Sequence, residues 1–281
     1  MNVTIIGLGL IGGSMALDLR KAGIATKLMG IDQNSSNAKK ALDLKLVDEV
    51  LPENEALSKA DLVILAIPVN AICAFLPSVL DAVNKHTIVI DAGSTKKMIC
   101  NSVTNHPRRN QFVASHPIAG TEFSGPEAAF NGLFENKTNI ICEREKSSAQ
   151  ALSLAEKVFK TLGLNTIFME PEEHDKHVAY VSHLSHVSSF LLGQTVLDIE
   201  KNEKNIFDLA GSGFASTVRL AKSSPEMWTP IFEQNAEYLS QALLEYIMHL
   251  QKFQYHLQKR DAKELHKIMT KANDIKRILK S

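Results

Sequence analysis

The sequence predicts an α/β chain in which a doubly wound, mostly parallel sheet is followed by an all-helical C-terminal domain. Three observations predict it. Short β-branched runs alternate with helical patterns as far as about residue 170, a glycine-rich turn joins the first run to the first helical pattern, and no β-like alternation follows residue 170. Continuous apolar strands suit a sheet covered by helices on both faces.

The first element is the run Val-Thr-Ile-Ile from Val3, which enters Gly7-Leu-Gly9-Leu10-Ile11-Gly12-Gly13-Ser14 and then an Ala/Leu/Arg helical pattern. A G-x-G-x-x-G between a strand and a helix is the setting of a dinucleotide site. Gly7 permits the tight turn, Gly9 lets the backbone approach a pyrophosphate, and Gly12 lets helix and strand pack closely. The N–H groups at the helix start, including those of Leu10 and Ile11, are suited to phosphate. Asp32, 20 residues beyond Gly12, ends a second strand over 27–32, where a carboxylate binds a ribose 2′-hydroxyl and repels a 2′-phosphate. The expected fold is therefore a Rossmann-type domain, and the expected cofactor is NAD.

Further strands are predicted over 61–68, 87–91, 111–116, 139–142 and 165–168, the last two towards the sheet edge, with a helix over 147–162. At Pro171-Glu-Glu the rhythm changes to a helix start, with proline in the first turn and acids at its positive end. Helices are expected over 171–201, 225–253 and 260–280, interrupted by Gly211-Ser-Gly213. These patterns divide the chain into a nucleotide-binding domain, 1–170, and a helical substrate and dimerisation domain, 171–281. The apolar stripe Ile231, Tyr238, Leu239, Leu243, Ile247 and Leu250 exceeds what a small bundle must bury, so a homodimer through these helices is expected.

Composition narrows the function classes. In 281 residues, 44% are hydrophobic and 22% charged, and 31 Lys+Arg balance 31 Asp+Glu. No whole-molecule field draws the chain to nucleic acid or to an anionic membrane. Cys73, Cys100 and Cys142 sit in apolar segments without metal spacing, as free thiols in a reducing compartment would. The absence of a leader pattern and of a bilayer-length apolar run points to the cytoplasm.

Ligands of an open α/β sheet bind beyond the carboxyl ends of the strands. Three loops are expected there: Ala66-Ile-Pro68 under the nicotinamide ribose, Asp91-Ala-Gly-Ser94-Thr-Lys96, and Ser115-His116-Pro-Ile-Ala-Gly-Thr121-Glu122. His116 is the candidate base, because imidazole titrates near neutrality and can accept a hydroxyl proton as hydride leaves the same carbon. The alternative is a structural histidine. Ser94 either orients His116 and the cofactor or caps the next helix.

Four histidines, His174, His177, His183 and His186, fall within 13 residues. On a straight helix of about 3.6 residues per turn they cannot converge on one ion, whereas Asp175, Ser182 and His186 share a face within roughly 40°. A polar cleft wall is expected and no metal. Arg219, between a Gly-Ser-Gly turn and Pro225-Glu-Met-Trp228, is placed either to clamp a carboxylate or to sit in solvent. Trp228 either closes the pocket or fills the core.

Taken together, Gly-Leu-Gly-Leu-Ile-Gly-Gly-Ser, Asp-Ala-Gly-Ser-Thr-Lys, Ser-His-Pro-Ile-Ala-Gly-Thr-Glu-x-Ser-Gly, Ser-His-Leu-x-His and Arg219…Ser-Pro-Glu-Met-Trp resemble the prephenate dehydrogenases of tyrosine biosynthesis over nearly the whole chain. The resemblance implies an NAD-dependent oxidoreductase that removes hydride from C4 of prephenate with loss of CO2, giving 4-hydroxyphenylpyruvate. It implies that His116 hydrogen-bonds the C4 hydroxyl, that Ser94 aligns His116 and the cofactor, and that Arg219 binds a substrate carboxylate. Thr121, Glu122, Asp175, His186 and Trp228 would line or gate the cleft. The chain departs from the common pattern at Ser185, where many relatives have proline, and in Phe-Ala-Ser-Thr-Val before Arg219, where relatives often carry a charged run. Arogenate is therefore an alternative substrate. No fused mutase segment is expected before the first strand, and any tyrosine feedback is expected to act at the active site. A non-catalytic NAD-sensing regulator would need the glycine turn and Asp32, but not His116 with Arg219.

Overall fold

The computed structural model describes residues 1–201 and 206–278. The chain divides into two compact units, Met1–Ala236 and Glu237–Ser281, so the position expected for a domain boundary, near 170, lies within the first. That unit is built on an eight-stranded sheet of order β3-β2-β1-β4-β5-β6-β7-β8. The strands are β1 (Asn2–Ile6), β2 (Lys27–Ile31), β3 (Glu49–Val50), β4 (Leu62–Leu65), β5 (Ile88–Asp91), β6 (Phe112–Pro117), β7 (Thr138–Cys142) and β8 (Asn165–Met169). The first six run parallel. From β1 the chain winds outward through β2 and β3, then restarts on the other side of β1 at β4. The switch point between β1 and β4 is where such sheets bind ligands.

Period-two alternation places successive residues of each strand in separate cores. Val3, Ile5, Leu62 and Ile64 pack under α1 (Leu10–Lys21) and α6 (Ala149–Thr161). Ile6, Val63 and Leu65 pack on the opposite face, with α3 (Glu53–Lys59), α4 (Val69–Ala82) and α5 (Lys97–Ser102). A short α2 (Ser35–Asp43) follows β2, capped by Asn34.

Two features differ from the sequence expectation. The two-residue β3 is too short to leave an alternation signal. And β7 runs antiparallel to β6, with β8 parallel to β7. A parallel return needs a long crossover, usually helical, whereas an antiparallel one does not. Segment 118–137 contains no α-helix. It crosses α1 instead: Phe130 N–H donates to Ser14 Oγ at 3.1 Å and Gly132 N–H to Asp18 at 3.0 Å.

Beyond β8, α7 (Pro171–Val178) begins with the expected proline and acidic first turn. It does not continue as one straight helix. A wide turn with i→i+5 geometry occupies Ala179–His183 before α8 (Leu184–Glu200). Then come α9 (Ser212–Thr217), a tight 3-10 turn over Arg219–Lys222, and α10 (Pro225–Gln234). The helix expected over 225–253 breaks at Asn235, whose side chain donates to the Asp175 carbonyl at 2.7 Å.

The second unit holds α11 (Ala236–Gln258), nearly all of which lies in it, and α12 (Ala262–Ala272), capped by Asp261. The expected terminal helix narrows to a tight turn over Asn273–Arg277, and its last positions, 279 and 280, lie outside the described residues. On α11, Leu244, Ile247, Met248, Leu250 and Leu257 are exposed. Among the described residues no helix is long and apolar enough to cross a membrane.

Candidate active site

Two loops from adjacent strand ends and one helix meet around His116. The imidazole closes β6 and is 8% exposed. Its Nδ1 lies 2.8 Å from His174 Nε2, and His174 Nδ1 lies 2.7 Å from Asp175 Oδ1. A carboxylate only accepts, so His174 Nδ1 carries a hydrogen and His174 Nε2 is left as an acceptor. His116 must then donate through Nδ1, which leaves Nε2 as a lone pair. Asp175 is held in turn by the N–H groups of Lys96 and Lys97 at 2.7 and 2.9 Å. Every hydrogen in this chain is assigned by its partners, and it ends in one free basic nitrogen.

Burial is the main force on these rings. It drives His116 well below the ordinary imidazole range, and His174, Lys96 and His183 add to the effect. His174 is lowered by burial despite the opposing pull of Asp175. His183, lowered to about 4 by burial, accepts from Asn235 at 3.0 Å. His116 is thus neutral at pH 7 and acts as an acceptor.

The glycine turn fits the expected dinucleotide. A Cβ on Gly7 would lie 2.4 Å from the Ala66 carbonyl oxygen, and one on Gly12 would lie 2.1 Å from that of Gly7. Both glycines are therefore demanded by internal packing, and Ala66 and Ile67 are held beside the turn. A Cβ on Gly9 would meet nothing within 4 Å. Gly9 caps α1 without a side chain, so the N–H groups of Leu10, Ile11 and Gly12 face the same opening. Asp32 accepts from Leu8 N–H at 2.9 Å and Asn34 N–H at 2.8 Å, one bond per oxygen, with lone pairs left for a diol. These residues would hold NAD.

Arg219 and Glu122, 97 positions apart in sequence, form an ion pair at 2.8 Å. The arginine is about half exposed and the glutamate largely covered. Glu122 is held below the usual carboxylate range by its own backbone N–H and then by Arg219. The turn bearing Arg219 is stapled to α8, where Ser189 Oγ donates to Thr217 O and accepts from Ala221 N–H. His186 stacks on Trp228 with ring centroids 3.5 Å apart, and is lowered mainly by burial, with Arg219 contributing. Thr121 accepts from Phe123 N–H at 3.2 Å, shaping the loop that carries Glu122.

Two residues, Asp175 and Ser94, sit differently from the sequence expectation, and Trp228 takes the core position that was one of its two expected roles. Asp175 is 2% exposed and committed to backbone and His174, so it faces inward and does not join Ser182 and His186 on a cleft wall. The wide turn at 179–183 breaks the straight-helix register that grouped them. The Ser94 hydroxyl has no hydrogen-bond partner among the described residues, and His174 occupies the place beside His116 that Ser94 was expected to take. Trp228 is 6% exposed and belongs to a core cluster while presenting one face to His186. Sequence reasoning missed His174, Lys96 and Asn235. Among the described residues no group of His, Cys, Asp and Glu could hold a metal.

Residues 15–168 match the family model "Prephenate dehydrogenase, nucleotide-binding domain", and residues 170–271 match "Prephenate dehydrogenase, dimerization domain". A prephenate dehydrogenase of Bacillus subtilis is 32% identical, over 97% of this chain and 74% of its own length. The crystal structure of the A. aeolicus prephenate dehydrogenase in complex with hydroxyphenyl propionate and NAD+ superposes with a TM-score of 0.88 at 32% identity, over 99% of this chain and 97% of that one. A Synechocystis arogenate dehydrogenase gives 0.76 at 29% identity, over 99% and 100%. The chain belongs to the prephenate dehydrogenase family.

Proposed function

We propose that the chain converts prephenate to 4-hydroxyphenylpyruvate, with NAD as oxidant and CO2 as co-product. The observation that carries this reading is the hydrogen-bonded series Asp175–His174–His116, which leaves a neutral imidazole with one free acceptor at a strand end. When bound, NAD supplies the hydride acceptor. His116 Nε2 accepts the hydrogen bond of the C4 hydroxyl, so electron density flows from O–H towards C4 as its hydrogen leaves with the bonding pair. The ring carboxylate departs as CO2, its electron pair completes the aromatic ring, and the oxygen keeps its proton as a phenol. His116 therefore needs to polarise the hydroxyl without retaining its proton.

Ser94, with its unpartnered hydroxyl, is free to bind the nicotinamide or the C4 oxygen. Arg219 receives a substrate carboxylate on leaving Glu122, while Thr121, His186 and Trp228 line the same opening. Gly7, Gly9, Leu10, Ile11, Gly12, Asp32, Ala66 and Pro68 seat the dinucleotide. Residues 1–170 serve the cofactor. Residues 171–281 serve substrate and association of two copies in the cytoplasm, and the exposed apolar residues of α11 support the association. Aromatisation provides the driving force, so alignment and electrostatics are what the protein must supply.

Arogenate, the amino analogue, is the second reading, supported by the similarity to an arogenate dehydrogenase. The purified chain is expected to form NADH, followed by its absorbance, with prephenate and NAD. A higher kcat/KM with arogenate would replace the substrate assignment. A protein that binds NAD but reduces it with neither compound would refute the enzymatic reading.

A further inference from the structure

The catalytic loop carries a buried ion pair that the mechanism above does not use. Lys96 is among the largest fully buried side chains of the chain, 0% exposed, although a lysine normally keeps its ammonium in water. Its Nζ donates to Asp91 Oδ2 and, at 2.7 Å, to the carbonyl of Ser115, the residue before His116. Asp91 Oδ1 accepts from Ser115 N–H at 2.9 Å, Asp91 Oδ2 accepts from Gly93 N–H at 2.9 Å, and Ser115 Oγ donates to the Asp91 carbonyl. The peptide group on each side of Ser115 is thereby bound to one carboxylate–ammonium pair. The Lys96 backbone N–H meanwhile holds Asp175, the far end of the His116 series.

We propose that Lys96 is a positioning residue for the reaction, its buried ammonium fixing the Ser115 carbonyl and thereby the placement and proton assignment of His116. One residue thus fixes both ends of the series, the backbone under His116 through its ammonium and Asp175 through its amide. A structural pairing alone would not require the second lysine contact to fall on the carbonyl adjoining the base. This inference rests on the reading of His116 as the acceptor.

The titratable groups acting on His116 are His174 from α7, Lys96 from the β5–α5 loop and His183 from the turn after α7, with Asp91 at the end of β5 and Asp175 on α7 standing behind Lys96 and His174 as their partners. Removing the Lys96 cation takes away a charge that opposes protonation of His116. The test is Lys96→Met, followed by titration of the His116 ring nitrogens in nitrogen-labelled protein by NMR, together with kcat. The titration of His116 is expected to move to higher pH, and kcat to fall about 10- to 100-fold, as misplacement of an aligned base predicts.

Should Lys96→Met alone fail to fold because Asp91 is left unpaired, Asp91→Asn/Lys96→Met removes both charges, and its readouts are kcat and the tautomer reported by the two His116 ring nitrogens: a fall in kcat with a changed tautomer is expected, and wild-type values of both overturn the proposal. An unchanged His116 titration in the folded single variant overturns the proposal. The NMR readout needs no turnover. A wild-type protein inactive on prephenate and arogenate would refute the functional reading, and the titration would still decide the role of Lys96.

Discussion

At the scale of single residues, the geometry separates the imidazole left with a free acceptor from the groups that fix its hydrogens. His116 is poised by proton assignment and not by charge, since burial and neighbouring His174 and Lys96 keep it neutral. His116→Asn keeps the volume and a hydrogen-bonding amide but cannot supply the same basic lone pair. It is expected to lower kcat by about 10²- to 10⁴-fold, with NAD affinity, measured by fluorescence titration, changed little. His174→Phe should leave His116 in place while releasing its tautomer. Its kcat/KM should fall without loss of NAD binding, and a wild-type kcat/KM would show that the Asp175–His174 series is not needed. His116 was legible in the sequence because a strand end and a Pro/Gly loop mark it locally. His174 was not, because its meaning lies in a contact across 58 positions. Lys96 was hidden for a different reason: its type is read as solvated, and only the fold supplies Asp91 and the Ser115 carbonyl to bury it.

At the scale of elements, the glycine turn shows how one motif mixes two kinds of requirement. Gly12 is needed by the fold, since a Cβ would lie 2.1 Å from the Gly7 carbonyl oxygen and 2.8 Å from Ile5. Gly9 is not demanded by the fold, since its Cβ would meet no protein atom within 4 Å, and the dinucleotide site proposed above gives it a reason. Gly12→Ala is therefore expected to destabilise the chain by about 1–3 kcal/mol through forced displacement of α1, seen as a lower urea midpoint. Gly9→Ala should leave that midpoint unchanged and weaken NAD binding, measured by calorimetry. Equal loss of stability in the two variants would contradict the division. The strand–turn–helix start was legible because each of its signals is local, and so was Asp32. The helical half was read less well. A wheel drawn through residues 174–186 assumes one helical pitch, whereas the turn at Ala179–His183 changes the pitch and rotates every later side chain. Periodicity does not report a widened turn, nor does it report that β7 would reverse the sheet.

At the scale of the whole molecule, the buried histidines set how the fold responds to acid. His116, His174 and His183 are all held below the ordinary value of 6.5, with burial the largest cause in each. In the unfolded chain each would titrate near about 6.5. As pH falls below that value, unfolded histidines bind protons that the folded ones refuse, so the unfolded state is stabilised relative to the folded one. The stability in question is fully present above about 6.5 and is lost as pH descends towards the folded values, about 4 for His183. For His183 alone the loss reaches about 3 kcal/mol at the bottom of that window. Carboxylates such as Glu143, whose ordinary value is 4.5, add a separate loss only further down. The expected result is a thermal midpoint that falls steadily between about pH 7 and about pH 5, before carboxylate protonation begins. His183→Gln removes one contributor without introducing a charge, so its midpoint should vary less over the same interval even if it is lower throughout. A midpoint independent of pH in that interval would mean that these rings protonate within the fold, and the neutral acceptor assigned to His116 would fail with it.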